Sequence, residues 1–323
     1  MDFKELNYVV TIADEQSFSK AAEKLFISQP SLSQYIKRLE NSLGLKLFKR
    51  STVPIEATNE GKEYIEYARR ILILQNEMSI VLKEVAGTQR GTLSIGTSQA
   101  RGTAMLPLLI PFFKKKYPNI NINLVERLPG ESNSLEKLVF ENKIDLCFLS
   151  PPISRNDIHC EKLFDEQLLI AAPSNTQIKG TSNLESEDNW KVIDLAELKN
   201  ENFILAMPHN RFRIIAEIEC AKCGFIPNVI METRSMDTAQ RMVAAGYGFT
   251  FVPELVINQW LENMAQPHYF VFGNPIFKCP AYIAYKKEAY MSRAAEAFLA
   301  TTREYIENFL PAELKMRRKH YKP

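Results

Sequence analysis

From Phe3 to Thr58 the apolar positions fall at helical spacing. Phe3, Leu6, Val9, Val10 and Ala13 share one stripe, which predicts a first helix burying that face. Ser17 is placed to cap a second helix that carries Phe18, Ala21, Ala22 and Leu25 inward. Ser28 can cap a third, with Pro30 tolerated in its first turn. Leu32, Ile36, Leu39 and Leu43 form the apolar face of that helix, and Gly44 follows where a left-handed cap is often needed. Together these make a trihelical unit. From Asn59 to about Glu84 one long helix is expected. Tyr64, Tyr67, Ile71, Leu74, Met78, Val81 and Val85 keep an unbroken heptad register, and Ile65, Ala68, Leu72 and Leu82 widen the face. So apolar a helix must pack on something. A second copy of itself satisfies most of the face, with part resting on the trihelical head.

After Gly91 the period changes. Strands are expected at Leu93–Gly96, around Ile120, Ile122 and Leu124, and at Ile144–Leu149, Phe203–Leu205, Val229–Glu232, Phe249–Val252 and Ala281–Tyr285. Helices are expected at Ala104–Lys116, Ser134–Glu141, Phe212–Cys223, Met236–Ala245 and Ser292–Phe309. This alternation argues for open α/β sheets in two lobes, with ligands bound outside the carboxyl ends of strands. Asn175–Trp190 is polar without period and reads as a surface excursion.

The opposite face of the third helix carries chemistry. Pro30, Gln34, Lys37 and Asn41 lie there, flanked by Ser33. Residues 1–58 hold eight basic and seven acidic residues, yet five of the basic ones (Lys37, Arg38, Lys46, Lys49, Arg50) cluster on this helix and the turn after it, beside one acid, Glu40. Amides read base edges and cations neutralise phosphate. A solvated helix face is the alternative; the helix–turn–helix spacing favours DNA.

The whole chain of 323 residues has 40 Lys and Arg against 38 Asp and Glu, a net charge of +2, which excludes a uniformly basic coat. Its length suggests about two to three domains. The longest apolar run, Met105–Phe113, is interrupted by Pro107 and Pro111 and is too short for a membrane span. The N-terminus lacks a signal-peptide pattern, and five cysteines without one read as reduced thiols in a cytoplasmic protein. Cys220 and Cys223 have C-x-x-C spacing, but no second pair or His-x3-5-His pair completes a zinc site, and His159, His209, His268 and His320 are scattered. Small residues on a helix, with Ile214, Ile215, Ile218 and Ala221 on its apolar side, explain the pair; a redox couple is the alternative. No nucleophile elbow, P-loop or dinucleotide fingerprint occurs, so catalytic residues, metal and cofactor are expected to be absent. A stand-alone solute-binding protein is the other competing class; the head argues against it.

Three runs now matter: Ser17–Ala22 (SFSKAA), Leu25–Glu40 (LFISQPSLSQYIKRLE) and Leu43–Arg50 (LGLKLFKR). They resemble the head of LysR-type transcriptional regulators, and Val243–Glu254 (VAAGYGFTFVPE) resembles a second signature of that family. The resemblance implies an α plus α/β protein: a winged helix–turn–helix over 1–58, a dimerising linker helix over 59–88 and a two-lobed, periplasmic-binding-protein-like effector domain over 91–311. Lobe I would comprise about 91–165 and 271–311, and lobe II about 166–270. Crossover strands are expected near Phe164–Ala172 and Tyr269–Phe272. A homodimer, assembled further into a homotetramer, double-stranded DNA and a small-molecule effector are the implied partners, with no membrane.

Carried over by position, Gln29, Pro30, Ser31, Ser33, Gln34 and Lys37 are the DNA-facing candidates and Arg50 the wing candidate. Val53 and Ala57 depart from the family's usual wing, where a further basic residue and Leu-Thr are common, so fewer groove cations are implied. Thr97, Ser98, Gln99 and Arg101 lie between a strand and a helix start, which suits an anion. The family places effector contacts there and at Glu131 and Ser132. Met207, His209, Arg211 and Phe212 and the Gly246-Tyr-Gly248 turn would face them. Arg101 and Arg211 are expected to neutralise a carboxylate, and Glu131 to meet an amine. Alternatively Thr97 and Ser98 only cap the helix and both arginines lie on the surface. The tail, with Lys315, Arg317, Arg318, Lys319, His320 and Lys322, reads as a disordered solvated end rather than a DNA contact.

Overall fold

The computed structural model describes residues 2–49, 52–85, 91–127, 132–176, 182–185, 190–208, 210–257, 265–273, 275–287 and 290–320. The chain forms two units, Met1–Thr88 and Gln89–Pro323.

The first unit contains α1 (Phe3–Glu15), α2 (Phe18–Lys24), α3 (Gln29–Leu43), the antiparallel pair β1 (Phe48–Lys49) and β2 (Glu56–Ala57), and α4 (Asn59–Val85). Its starts are fixed chemically. Asp2 and Glu5 form a reciprocal capping box on α1, Ser17 accepts from the Lys20 amide, and Ser28 accepts from the Ser31 amide. Gly44 ends α3 in a left-handed conformation, φ 68°. Val9, Ile12, Ala21, Ala22, Leu32, Ile36 and Leu47 form the core. Phe3 and Leu43, expected inside, are exposed at the helix ends.

The apolar face of α4 is divided. Ile65 and Ala68 are buried on the head, Tyr64, Ile71 and Leu72 pack beside them, and Arg69 pairs with Asp14 of α1 at 2.5 Å. The opposite stripe, with Tyr67, Leu74, Met78 and Leu82, faces outward; Leu74 is 62% exposed. The heptad therefore serves two surfaces, its N-terminal part being used by the head.

The second unit runs β3 (Thr92–Ser98), α5 (Gln99–Lys116), β4 (Asn121–Arg127), α6 (Ser132–Phe140), β5 (Leu146–Leu149), β6 (Ile158–Ala172), β7 (Ser182–Glu185), β8 (Lys191–Ile193), β9 (Asn202–Ala206), α7 (Arg211–Lys222), β10 (Asn228–Thr233), α8 (Met236–Ala244), β11 (Thr250–Pro253), β12 (His268–Phe272), β13 (Lys278–Lys286), α9 (Arg293–Asn308) and α10 (Leu310–His320). In lobe I the order is β4-β3-β5-β13-β6, with β3 parallel to β4 and β5. In lobe II, β6 pairs with β11 and β12, β12 with β8, and β8 with β7. β9 pairs in parallel with β10 and meets the start of β11 through Phe203 and Phe249.

Long β6 belongs to both lobes: Ile158–Gln167 pairs with β13 and Leu168–Ala172 with β11 and β12. β12 stays in lobe II, so the return crossing lies between Phe272 and Lys278, a few residues beyond the expected Tyr269–Phe272. Leu93, Ile95, Leu109, Phe113, Phe148 and Phe298 anchor the core of lobe I. Two clusters cover the two faces of the lobe II sheet, one around Phe203, Phe251 and Phe272, the other around Val243, Val252 and Tyr269.

Three further expectations need correction. The polar excursion contains β7 and ends on Trp190, which is buried against Tyr269. In α7 the inward residues are Ala216 and Cys220 with Phe212 and Ile215, whereas Ile218 and Ala221 face out. The basic tail is helical through His320. Leu310 and Leu314 pack on the lobe I core, and Arg318 grips the buried Glu254 carboxylate, its Nη2 2.9 Å from Oε2. A segment with two apolar anchors and a desolvated ion pair is not a solvated end. No helix among the described residues is long and apolar enough to cross a membrane.

Candidate functional site

On α3, Gln29, Pro30, Ser31, Gln34 and Lys37 are exposed and Ser33 is half-buried, all opposite the buried Leu32–Ile36–Leu39 face. Ser31 is partly engaged, its hydroxyl lying 2.8 Å from that of Ser28. Arg38 stacks over the Tyr35 ring at 5.8 Å, adding an exposed cation to the same helix. Glu40, the one acid in the basic cluster, is buried. Its Oε1 accepts from the amides of Leu47 (2.9 Å) and Phe48 (3.3 Å), and its Oε2 meets Lys46 at 3.5 Å. The acid thus holds the approach to the β1–β2 hairpin in place, and the outward charge of the helix is more positive than the residue count suggests.

The second site is a cavity of about 880 Å³, open mouth included, between the two lobes of the second unit. Ser98, Arg101, Leu135, Phe148 and Ser150 line it from lobe I; Asn210, Arg211, Phe212, Thr233 and Met236 line it from lobe II. The helix starts explain the placement. Strand β3 extends to Ser98, and α5 begins at once, earlier than expected, with the Ser98 hydroxyl accepting from the Arg101 amide. Asn210 does the same for α7, accepting from the Phe212 amide at 2.9 Å. Residues of both first turns line the cavity, Ala100 and Arg101 from α5 and Arg211 and Phe212 from α7.

The two expected arginines are neither on the surface nor free. Arg101 donates from Nη2 to Glu166 Oε2 (2.8 Å) and to Ser150 Oγ (3.0 Å), while Glu166 Oε1 accepts from the Leu255 amide (3.1 Å). Arg211 donates to the Ser150 carbonyl and to Glu136 Oε1. Glu136 Oε2 accepts from the Ser154 amide and hydroxyl and from the Arg155 amide, the hydroxyl at 2.7 Å. Both ion pairs are buried. Ser150, at the carboxyl end of β5, therefore joins both guanidinium groups. Neither arginine is available as a free carboxylate anchor, although Arg211 Nε lacks a partner.

Several other expected contacts lie elsewhere. Thr97 is buried in the strand with its hydroxyl on the Ser98 carbonyl; Gln99 is exposed; neither they nor Met207 line the cavity. Gly246 and Gly248 are at the amino end of β11, whereas the cavity sits at the carboxyl ends of β9 and β10. Gly246 terminates α8, and Gly248 (φ 154°) lets the chain pass β9: a Cβ there would come within 2.5 Å of the Asn202 carbonyl oxygen. The turn is a packing device. Arg50, Glu131 and His209 lie outside the described residues, as does the Ser132 side chain. Sequence reasoning missed Arg127 at the end of β4, Arg234 after β10, and the two carboxylates Glu136 and Glu166. The signal for the arginines was their position at strand ends; the carboxylates sit within a helix and a strand and carry none.

The thiols are all free. Burial pushes Cys220 up to about 12 and Cys279 up to about 11, and raises Cys147 well above its ordinary value. Cys223, at the end of α7, is raised too, again chiefly by desolvation. A reactive redox pair is favoured by a lowered thiol, and burial moves both Cys220 and Cys223 the other way.

Residues 3–62 match the family described as "Bacterial regulatory helix-turn-helix protein, lysR family", and residues 86–307 match "LysR substrate binding domain". The HTH-type transcriptional regulator YcgK of Bacillus subtilis (strain 168) is 33% identical over 316 residues, 95% of each chain. BenM of Acinetobacter baylyi is 31% identical over 286 residues, 88% of this chain and 90% of BenM. The crystal structure of full-length BenM aligns with a TM-score of 0.55 at 29% identity, covering 95% of this chain and 97% of that one. CbnR complexed with its target DNA shares the fold, with a TM-score of 0.59 at 22% identity over 94% of this chain and 99% of that one. With head and effector-binding domain both matched, the chain belongs to the LysR family of DNA-binding transcriptional regulators, which are not enzymes.

Proposed function

We propose that α3 reads the major groove through Gln29, Pro30, Ser33, Gln34 and Lys37, with the wing and Arg50 beside it, and that a small carboxylate-bearing effector in the interlobe cavity modulates this binding. One observation carries the effector reading. Arg127 and Arg234, neither paired with a described carboxylate, line the cavity beside the already neutralised Arg101 and Arg211, and no carboxylate does among its described lining residues. The backbone amides at the starts of α5 and α7 add to the attraction for an anion. Because Arg211 of lobe II binds Glu136 of lobe I, a ligand that favours one lobe arrangement competes with or reinforces an existing interlobe tie. It shifts the equilibrium only by its differential affinity for the two arrangements.

The exposed stripe of α4 suits a second copy, and homodimers pairing into a homotetramer acting on cytoplasmic DNA complete the proposal. The experiment is footprinting of the intergenic region beside the encoding gene, with and without organic acids. Protection that changes with an acid supports the reading. Protection indifferent to every acid, with a neutral metabolite altering it instead, rejects the carboxylate.

A further inference from the structure

The two lobes repeat one βαβαβ order: β3-α5-β4-α6-β5 and β9-α7-β10-α8-β11. In each, the first strand pairs in parallel with the second and lies parallel beside the third. The repeat places arginines in matching positions. Arg101 and Arg211 sit in the first turn of the first helix, behind the caps Ser98 and Asn210. Arg127 ends the second strand of lobe I, and Arg234 directly follows the second strand of lobe II. All four line the cavity.

Their charges are balanced unequally. Arg101 is matched by buried Glu166 and Arg211 by buried Glu136. Arg127 and Arg234 have no carboxylate partner among the described residues. Arg127 Nε is desolvated and without a hydrogen bond, as is Nε of Arg211, a residue only 7% exposed. A buried guanidinium donor left unmatched is costly, and an anion is the group that satisfies it. One cation without a described carboxylate partner lies at the strand ends of each lobe, and apolar Leu135, Phe148 and Met236 line the same cavity.

The geometry points to a dicarboxylate as the effector, one carboxylate held by Arg127 in lobe I and the other by Arg234 in lobe II, with an apolar spacer between them. A ligand with two separated charges fits this division better than a single carboxylate or an amino acid, whose ammonium group would face cations. The inference rests on the cavity being the effector site and narrows what it takes.

The test is calorimetric titration of the full-length protein with succinate, glutarate and adipate, and with the half-amide of each. At least one diacid should bind roughly tenfold or more tighter than its half-amide, the range expected for a charge-assisted hydrogen bond. Arg234→Gln, at an exposed position, and Arg127→Gln should each erase that preference, and Arg127→Lys should restore part of it. Thr233→Trp, which fills the cavity, should abolish binding. Equal affinity for diacid and half-amide overturns the inference, as does a preference that survives both glutamine variants, or no binding by any of the series. If Thr233→Trp abolishes binding while both glutamine variants bind normally, the cavity remains the effector site and the two-arginine assignment alone is wrong. If binding survives Thr233→Trp, the site itself is elsewhere.

Discussion

Arg211, in the first turn of α7, is buried against Glu136 of α6, so a lobe II guanidinium is neutralised by a lobe I carboxylate between the two lobes. Glu136 is in turn bound by the Ser154 hydroxyl and by the amides of Ser154 and Arg155. Removing one partner of such a pair leaves a desolvated charge. Glu136→Leu should cost roughly 3–5 kcal/mol of stability, and the double variant Glu136→Leu/Arg211→Met markedly less. Urea denaturation of the three proteins gives the comparison; equal losses for single and double variants would show the pair to be uncoupled.

The exposed stripe of α4 carries the next expectation. Leu74 and Met78 are more than half exposed on the isolated chain and lie away from the head. Leu74→Glu should leave the thermal unfolding of the head unchanged yet split the oligomer, because a charge in an apolar seam costs several kcal/mol. Sedimentation equilibrium reads the mass. An unchanged mass places the seam elsewhere.

The thiols supply a labelling order. Cys223 is exposed, Cys160 is half-buried, and Cys147, Cys220 and Cys279 are buried. Since every thiol is raised and Cys220 stands at about 12, maleimide at neutral pH should modify Cys223 first and the buried three only on unfolding. Mass spectrometry of partly labelled protein checks the order, and rapid modification of Cys220 contradicts it.

Acid sensitivity follows from two surface pairs. Arg303 holds the Glu161 carboxyl below its ordinary value of 4.5, and Arg155 holds Asp157 below 3.8. A carboxyl lowered on folding stabilises above its unfolded value, and that contribution disappears as pH falls through the folded one. The melting temperature should therefore be insensitive to these groups above about pH 5 and decline below it, and Glu161→Gln should make the decline shallower at low salt. A steeper decline in the variant would reverse the assignment.

Much of this was legible in the chain. The caps Ser17 and Ser28, the end at Gly44 and the strand–helix alternation are local signals, and local hydrogen bonding realised them. The cavity residues were legible only in part. Ser98, Arg101, Arg211 and Phe212 reach it because they follow strand ends. That Arg101 and Arg211 are already neutralised depends on Glu166 and Glu136, each more than sixty positions away along the chain, and no local pattern encodes such a pairing. Gly246 and Gly248 misled because a glycine turn near a site and one that merely clears a neighbouring strand look alike in sequence; strand direction separates them. The tail misled because charge density hid Leu310 and Leu314, which carry its packing.

Sequence-specific regulation requires that α3 read bases. Fluorescence anisotropy of the full-length protein on a footprinted duplex and on its scrambled counterpart tests it most directly. Gln34→Ala should lose roughly 1–3 kcal/mol on the footprinted duplex and almost nothing on the scrambled one. Lys37→Ala should weaken both or flatten the salt dependence. Equal weakening of both duplexes by Gln34→Ala, or no effect on either, would contradict the assignment of α3 to the groove.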